Sequence, residues 1–442
     1  MVYDKGDFPR GRDNKYPTNG GTMGKTFVEK ILAERAGKNT VVPGEIVVVK
    51  PDYVMSHDNS AAIYGKFKQI GSGRVFDREQ ILIILDHCVP AASEKYAKNH
   101  QEIRDFVEKF DIPNFFDINT GVCHQVVIEK GFARPGRLIV GSDSHTVSYG
   151  AVGAFSAGIG RSEAAAIWAT GEIWLKVPST LKVVFNGVPK PGVTAKDLML
   201  YLIGKIGADG ALYKAVEFTG EAVFRMTIAD RIVFANMTVE MGGKNGYFAP
   251  DETTFEYLRA RGIDGSGFEA VFPDSDAEYE QVLTIDSASI EPQVAKPHTV
   301  DNVASVSEVA GIKIHQALIG TCTNGRIEDL RAAAAVLKGR KVAKNVRLLI
   351  FPASMEIYMQ AMKEGLFETI IEAGGIVMNP GCGPCLGAHE GILAPGEVCL
   401  STANRNFKGR MGCKTASVYL ASPETVAASA IAGEICAAEA MK

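Results

Sequence analysis

Two cysteines, Cys382 and Cys385 in NPGCGPCLG, sit in a run of glycine and proline that keeps side-chain bulk away from their thiols. A third, Cys322, occupies a similar turn, IGTCTNGR, at the end of an apolar run. Thiols placed this way serve as a redox dithiol, as part of a zinc site or as iron–sulfur ligands. A structural zinc asks for four closed ligands, usually two Cys pairs, and this chain has one such pair. A thioredoxin-type dithiol opens a helix after the first strand of its fold, whereas this pair lies late and among prolines. Three thiolates would hold three irons of a [4Fe–4S] cluster and leave the fourth open. Such an iron is a Lewis acid for a hydroxyl or carboxylate. Spacing alone leaves all three readings open. Cys88, Cys123, Cys399 and Cys436 lie in or beside apolar segments, where a small buried hydrophobe is the plain role. Cys413, in GRMGCK, is ambiguous.

Acid–base candidates follow the same pattern. Asp86–His87 and Asp143–Ser144–His145 each set a histidine beside an aspartate after an apolar run. A neighbouring carboxylate fixes the imidazole tautomer and raises its pKa, which suits proton donation near neutral pH. His124 opens CHQVVI. Asn236 and Glu240 are four residues apart, on one helical face. NRNFKGR supplies Asn404, Arg405 and Arg410, and guanidiniums suit bidentate carboxylate binding. Each motif also has a plainer role when taken singly. The Asp–His dipeptides would be loop caps, His124 a packed histidine, Asn236 and Glu240 a solvated pair, and 404–410 a basic surface loop. His389, four residues after Cys385, would close a cluster if it were a fourth ligand; it is read as a neighbouring or surface side chain.

The elements that must position these residues are legible from periodicity. EIVVVKPDYV (45–54), QILIILDHCV (80–89), RLIVGSDSHT (137–146), IHQALIGTCTN (314–324), VRLLIFPAS (346–354) and GIVMNPGCG (375–383) each rise through β-branched residues and break into a polar or Gly-rich turn. HQEIRDFVEKF (100–110) and RIEDLRAAAAVLKG (326–339) carry helical patterns between them. The alternation predicts an α/β fold with parallel sheets, in which ligands bind beyond the carboxyl ends of the strands. Nearly every candidate above falls at such an end. The expected organisation is a disordered leader over 1–22, an α/β unit over 23–176 and a second over 177–297. A third unit over 298–442 carries the cysteines, reached through a polar linker near 285–305.

A chain of 442 residues is too long for one core. Its 46% apolar and 22% charged composition is that of a soluble globular protein, and a net charge of −4 gives no pull toward nucleic acid or acidic membrane. There is no apolar run of membrane-spanning length and no apolar signal core, so a cytoplasmic location is expected. Eight cysteines in a chain of this size point to reduced thiols rather than a disulfide scaffold.

Taken together, DHC (86–88), CHQV (123–126), GSDSHT (141–146), NMTVE (236–240), NRNFKGR (404–410) and the three-cysteine pattern resemble the aconitase superfamily, in its motif order and over nearly the whole chain from residue 23. The resemblance is greatest to the separate large subunits of the isopropylmalate dehydratase and homoaconitase group. It implies three α/β domains of the aconitase type around a [4Fe–4S] cluster held by Cys322, Cys382 and Cys385. The implied activity is a hydro-lyase reaction, the reversible dehydration of a hydroxy di- or tricarboxylate. Asp86, His87, His124, Asp143, Ser144, His145 and Glu240 would be catalytic, with Asn236, Asn404, Arg405 and Arg410 binding substrate.

Two departures from single-chain aconitases bear on partners and substrate. Ala62 stands where those enzymes carry a glutamine, which argues against citrate. With the sequence ending at Lys442, the mobile fourth (swivel) domain that supplies their serine base is expected to be absent from this chain. A small subunit of that kind is therefore expected to bring the base, in a heterodimer or heterotetramer. Expected substrates are 3-isopropylmalate, homoaconitate-type acids, or methyl-substituted malates such as citramalate and dimethylmalate. A zinc or RNA-binding protein without enzyme activity is the remote alternative, and no basic, aromatic-interleaved stripe supports it.

Overall fold

The computed structural model describes residues 24–438 apart from Asp264, Ser266 and Gly267; the leader expected over 1–22 lies outside the described residues. The chain folds into α/β layers built on a five-, a four- and a seven-stranded sheet, with a two-stranded ribbon at one side. Strands Ile81–Ile84, Leu138–Gly141 and Gln316–Gly320 are buried along their whole length. That is why their sequences run apolar without alternating: a parallel sheet covered on both faces has no solvent side. Fully burying one such side chain contributes about 1.5–3 kcal/mol.

The five-stranded sheet is entirely parallel, in the order Asn114–Phe116, Ile81–Ile84, Tyr53–Ser56, Leu138–Gly141, Phe155–Gly158. Chain order reverses direction between Tyr53–Ser56 and Leu138–Gly141. A crevice opens past the carboxyl ends of two such strands, because their connections leave to opposite sides. The seven-stranded sheet repeats this. Its parallel portion runs Ser417–Leu420, Val398–Ser401, Gln316–Gly320, Arg347–Phe351, Ile376–Val377, with the reversal between Val398–Ser401 and Gln316–Gly320. The four-stranded sheet, also parallel, orders Asn245–Phe248, Ala215–Thr219, Thr180–Asn186 and Gln281–Asp286.

Two stretches differ from the expectation. EIVVVKPDYV is not one strand: Ile46–Val49 pairs antiparallel with Ile173–Lys176 in the ribbon, and Tyr53–Ser56 enters the five-stranded sheet. Pro51, without an N–H to donate, sits at the break. The polar linker near 285–305 contains two three-residue strands, Gln293–Ala295 and Val303–Ser305, paired antiparallel at the edge of the seven-stranded sheet. Pro292 and Pro297 flank the first, and strands this short leave little periodic signal.

Candidate active site

The carboxyl ends of five parallel strands deliver the candidate residues to one place. Ile81–Ile84 leads to Asp86 and His87, Leu138–Gly141 to Asp143 and His145, Gln316–Gly320 to Cys322, Ile376–Val377 to Cys382, and Val398–Ser401 to Asn404 and Arg405. The crevices of the two doubly wound sheets thus meet. Between them is a narrow cleft lined by His87, His124, Asp143, His145, Asn404, Arg410 and the three cysteines.

On one wall, Asp86 is fully buried and its Oδ1 lies 2.6 Å from His87 Nδ1. Its Oδ2 accepts the Cys123 N–H at 2.7 Å. Burial opposes a charged ring at His87, but the Asp86 carboxylate and its hydrogen bond, helped by Asp143, more than offset this and raise the pKa to about 10. The His57 ring stacks on His87 with centroids 3.9 Å apart. Burial, then the charge on His87, push His57 down to about 4. The stacked pair is therefore one cation and one neutral ring at neutral pH.

Asp143 joins the opposite wall. Its Oδ1 lies 2.9 Å from His124 Nε2 and accepts the His145 N–H at 2.7 Å, while His87 Nε2 faces Oδ2 across 3.8 Å. Burial works against this carboxylate; hydrogen bonds from His124 and His145 overcome it and hold the pKa well below the usual range. His145 Nε2 lies 2.8 Å from Glu240 Oε1, and Arg405 Nε donates to Oε2 of the same carboxylate at 3.1 Å. Asn236 and Glu240 are both buried, so the plainer reading of a solvated pair does not hold. The helix Ile228–Met237 ends between them and a 3-10 turn, Thr238–Met241, carries Glu240 inward.

The three thiols are buried, free and gathered at the floor. Asn236 Nδ2 and Asn404 Nδ2 each donate to Cys322 Sγ at 3.3 Å, and Arg410 Nη2 lies 3.9 Å from Cys385 Sγ. Cys382 N donates to the Asp86 carbonyl at 3.0 Å, tying the floor to the Asp86 wall. Gly383, between the paired cysteines, has φ 53° and a Cβ there would meet the Phe351 ring at 2.6 Å, so only glycine serves. Thr321 holds φ 68°, an orientation that costs a β-branched residue about 1–3 kcal/mol. Its buried Oγ1 has no partner among the described residues. A cysteine-only donor set with N–H donors and a guanidinium aimed at sulfur, beside an orphaned hydroxyl, fits an iron–sulfur cluster and has no use in a plain hydrophobic floor.

The structure therefore brings together Asp86, His87, His124, Asp143, His145, Asn236, Glu240, Asn404, Arg405, Arg410 and the cysteines. It does not bring Ser144 into the same cleft; Ser144 lines a separate groove with Val147, Gly158 and Lys244. His389 turns away, its Nε2 lying 2.6 Å from the Pro90 carbonyl oxygen. Ala62 is on the exposed side of the helix Ser60–Ile70.

Sequence reasoning missed Asp58. Its carboxylate accepts the backbone N–H groups of Asp86, His87 and Cys88 at 3.0, 2.8 and 3.2 Å and lies 2.8 Å from His100 Nε2. The available signal was the His57–Asp58 dipeptide at a strand end. Burial opposes its charge, and His100 with the other donors holds its pKa below the usual range. Asp58→Ala should lower unfolding stability by about 3 kcal/mol, since it leaves these donors unpaired. Because the folded pKa is depressed, the contribution is complete above the ordinary carboxylate value and lost as pH falls through the depressed one. Denaturant melts at neutral and acid pH check both statements; an unchanged neutral midpoint would refute them.

The sequence profile of the aconitase family (aconitate hydratase) matches residues 29–311 and 306–433. The chain is 50% identical over 414 residues to the probable 3-isopropylmalate dehydratase large subunit of Methanothermobacter thermautotrophicus, covering 93% of this chain and 98% of that one. It is 49% identical to the 3-isopropylmalate dehydratase large subunit of Clostridium kluyveri, covering 94% and 99%. To the probable methanogen homoaconitase large subunit of Methanosarcina mazei it is 51% identical, covering 87% and 97%. With its motifs gathered at the meeting of two sheet crevices and these relatives along nearly its whole length, the chain belongs to the aconitase family.

Proposed function

We propose that this chain is the cluster-bearing large subunit of a hydro-lyase that reversibly dehydrates and rehydrates a substituted malate of the 3-isopropylmalate type. The observation that carries the reading is one cleft holding three buried free thiols beside three histidines, each paired with a carboxylate. When bound by Cys322, Cys382 and Cys385, a [4Fe–4S] cluster supplies a Lewis-acid iron that polarises a substrate hydroxyl.

The chain's own residues supply the rest. Loss of water needs a proton for the departing hydroxyl, a base for a carbon-bound proton and cations for the carboxylates. His87, protonated and held by Asp86 at Nδ1, donates from Nε2. Asp143, His124 and His145 form a fixed set of donors and acceptors for the released water. Arg405, Arg410, Asn404 and Asn236 bind substrate carboxylates. Glu240, ionised between His145 and Arg405, keeps both side chains in place. The carbon-bound proton goes to a base on a small partner subunit, in keeping with the words "large subunit" in the relatives' names. That subunit would also line the pocket for the variable substituent.

The equal likeness to the Methanosarcina protein supports a second reading, a homoaconitase large subunit. Anaerobic co-expression with a small subunit should give an enzyme that converts 3-isopropylmalate to its unsaturated diacid, followed by the ultraviolet absorbance of the conjugated double bond. The chain alone should be inactive. Full activity without a partner would sink the proposal; activity of the pair on homoaconitate-type acids alone would establish the second reading.

A further inference from the structure

Lys196, on the helix Ala195–Ile206, is completely buried. Its Nζ donates to the carbonyls of Thr402 and Ala403 at 2.9 and 2.7 Å, two sequence-distant groups in another sheet's turn. Removing a lysine from water is costly, so a fully buried one needs a specific return. The carbonyls it holds directly precede Asn404 and Arg405. On its other side the turn is tied to the cysteine-bearing loop, where Thr402 Oγ1 accepts the Gly320 N–H at 2.9 Å. Leaving the turn, Asn404 Nδ2 reaches Asn236 Oδ1 at 3.1 Å and Cys322 Sγ at 3.3 Å, and Arg405 reaches Glu240. The neighbouring Asp197 points elsewhere: it caps its own helix through Thr194 and accepts the Gln293 N–H at 2.8 Å.

We propose that Lys196 is a positioning residue of the active site, fixing the Thr402 and Ala403 carbonyls so that Asn404 meets the Cys322 sulfur and Arg405 meets Glu240 and the substrate. The inference rests on the function proposed above. Burial lowers the Lys196 pKa to about 7, and either protonation state keeps two hydrogens for the two carbonyls. Its contribution is thus geometric.

The test compares wild type, Lys196→Met, Lys196→Gln and Asp197→Asn, each as the anaerobic complex with its small subunit. Lys196→Met should keep its iron, because the three cysteines are untouched. Its KM should rise about tenfold or more as Arg405 loses its place. The paramagnetic resonance signal of the dithionite-reduced cluster should shift, because Asn404 no longer donates to a ligating sulfur. Lys196→Gln, with an amide able to reach one carbonyl, should fall between. Asp197→Asn should lower the melting temperature and move neither KM nor the signal. Wild-type KM and signal in folded Lys196→Met would overturn the proposal. So would insoluble protein from both Lys196 variants, which would assign the lysine to folding. Wild type without iron or dehydratase activity would instead overturn the function itself.

Discussion

Cys382→Ser should strip the cleft of iron and cut dehydratase activity by about 10³-fold or more, because the several kcal/mol of Lewis-acid stabilisation that the proposed cluster supplies vanish with it. The substitution is nearly isosteric and leaves the backbone contact from Cys382 N to the Asp86 carbonyl in place. The thiol belongs to a small apolar contact group with Val122 and Cys322 rather than to the main cores, so the fold should survive. A serine hydroxyl is a hard, weakly acidic donor and a poor replacement for thiolate at iron. Cys322→Ser should behave the same way, with the further effect that Asn236 and Asn404 lose their sulfur acceptor. Cys413→Ser is the control, since that residue lies outside the cleft and contacts Thr415. Iron and acid-labile sulfide analysis, the visible spectrum and circular dichroism on anaerobic protein read the outcome. A Cys382→Ser protein that keeps a full iron complement would remove Cys382 from the ligand set and reopen the dithiol reading of NPGCGPCLG.

The cysteines, the Asp–His pairs and the Asn–Arg turn were legible because parallel strands announce themselves as apolar runs and end in polar turns. Where the runs end is where such sheets bind ligands, so type and position pointed the same way. The fold class followed from the same alternation. Asp58 and Lys196 were illegible for one physical reason: each acts on a backbone far along the chain. Asp58 holds the turn at 86–88, and Lys196 the carbonyls at 402 and 403. Neither contact has a local periodicity to betray it. Ser144 shows the converse limit. Its neighbours Asp143 and His145 line the cleft, yet the 3-10 helix that begins at Ser144 carries it to the next groove. The break at Pro51 was visible as a proline but not as a change of sheet, because pairing partners at 173–176 are over a hundred residues away.

His87→Gln should lower kcat by about 10²–10⁴-fold, the range for a positioned proton donor, while iron content and KM change little. Glutamine can still accept or donate a hydrogen bond to Asp86, so the wall should stay in place and the loss should report proton transfer. The pH profile sharpens the test. In wild type the His87 pKa is raised to about 10, with burial opposing and Asp86 as the leading cause of the rise. The ring is therefore protonated through neutral pH, and the alkaline limb of kcat/KM should lie near pH 10. The sign for stability is the same. A pKa raised on folding contributes fully below the free histidine value of about 6.5. That contribution is lost as pH rises through about 10. Asp86→Asn removes the charge 2.6 Å from Nδ1 and should draw the alkaline limb down toward neutrality. It should also weaken the Cys123 N–H contact that the same carboxylate accepts. A limb that stays near its wild-type position in Asp86→Asn would take the proton donor away from His87. The remaining candidates would then be His124 and His145, whose shared acceptor, Asp143, lies on the opposite wall of the cleft.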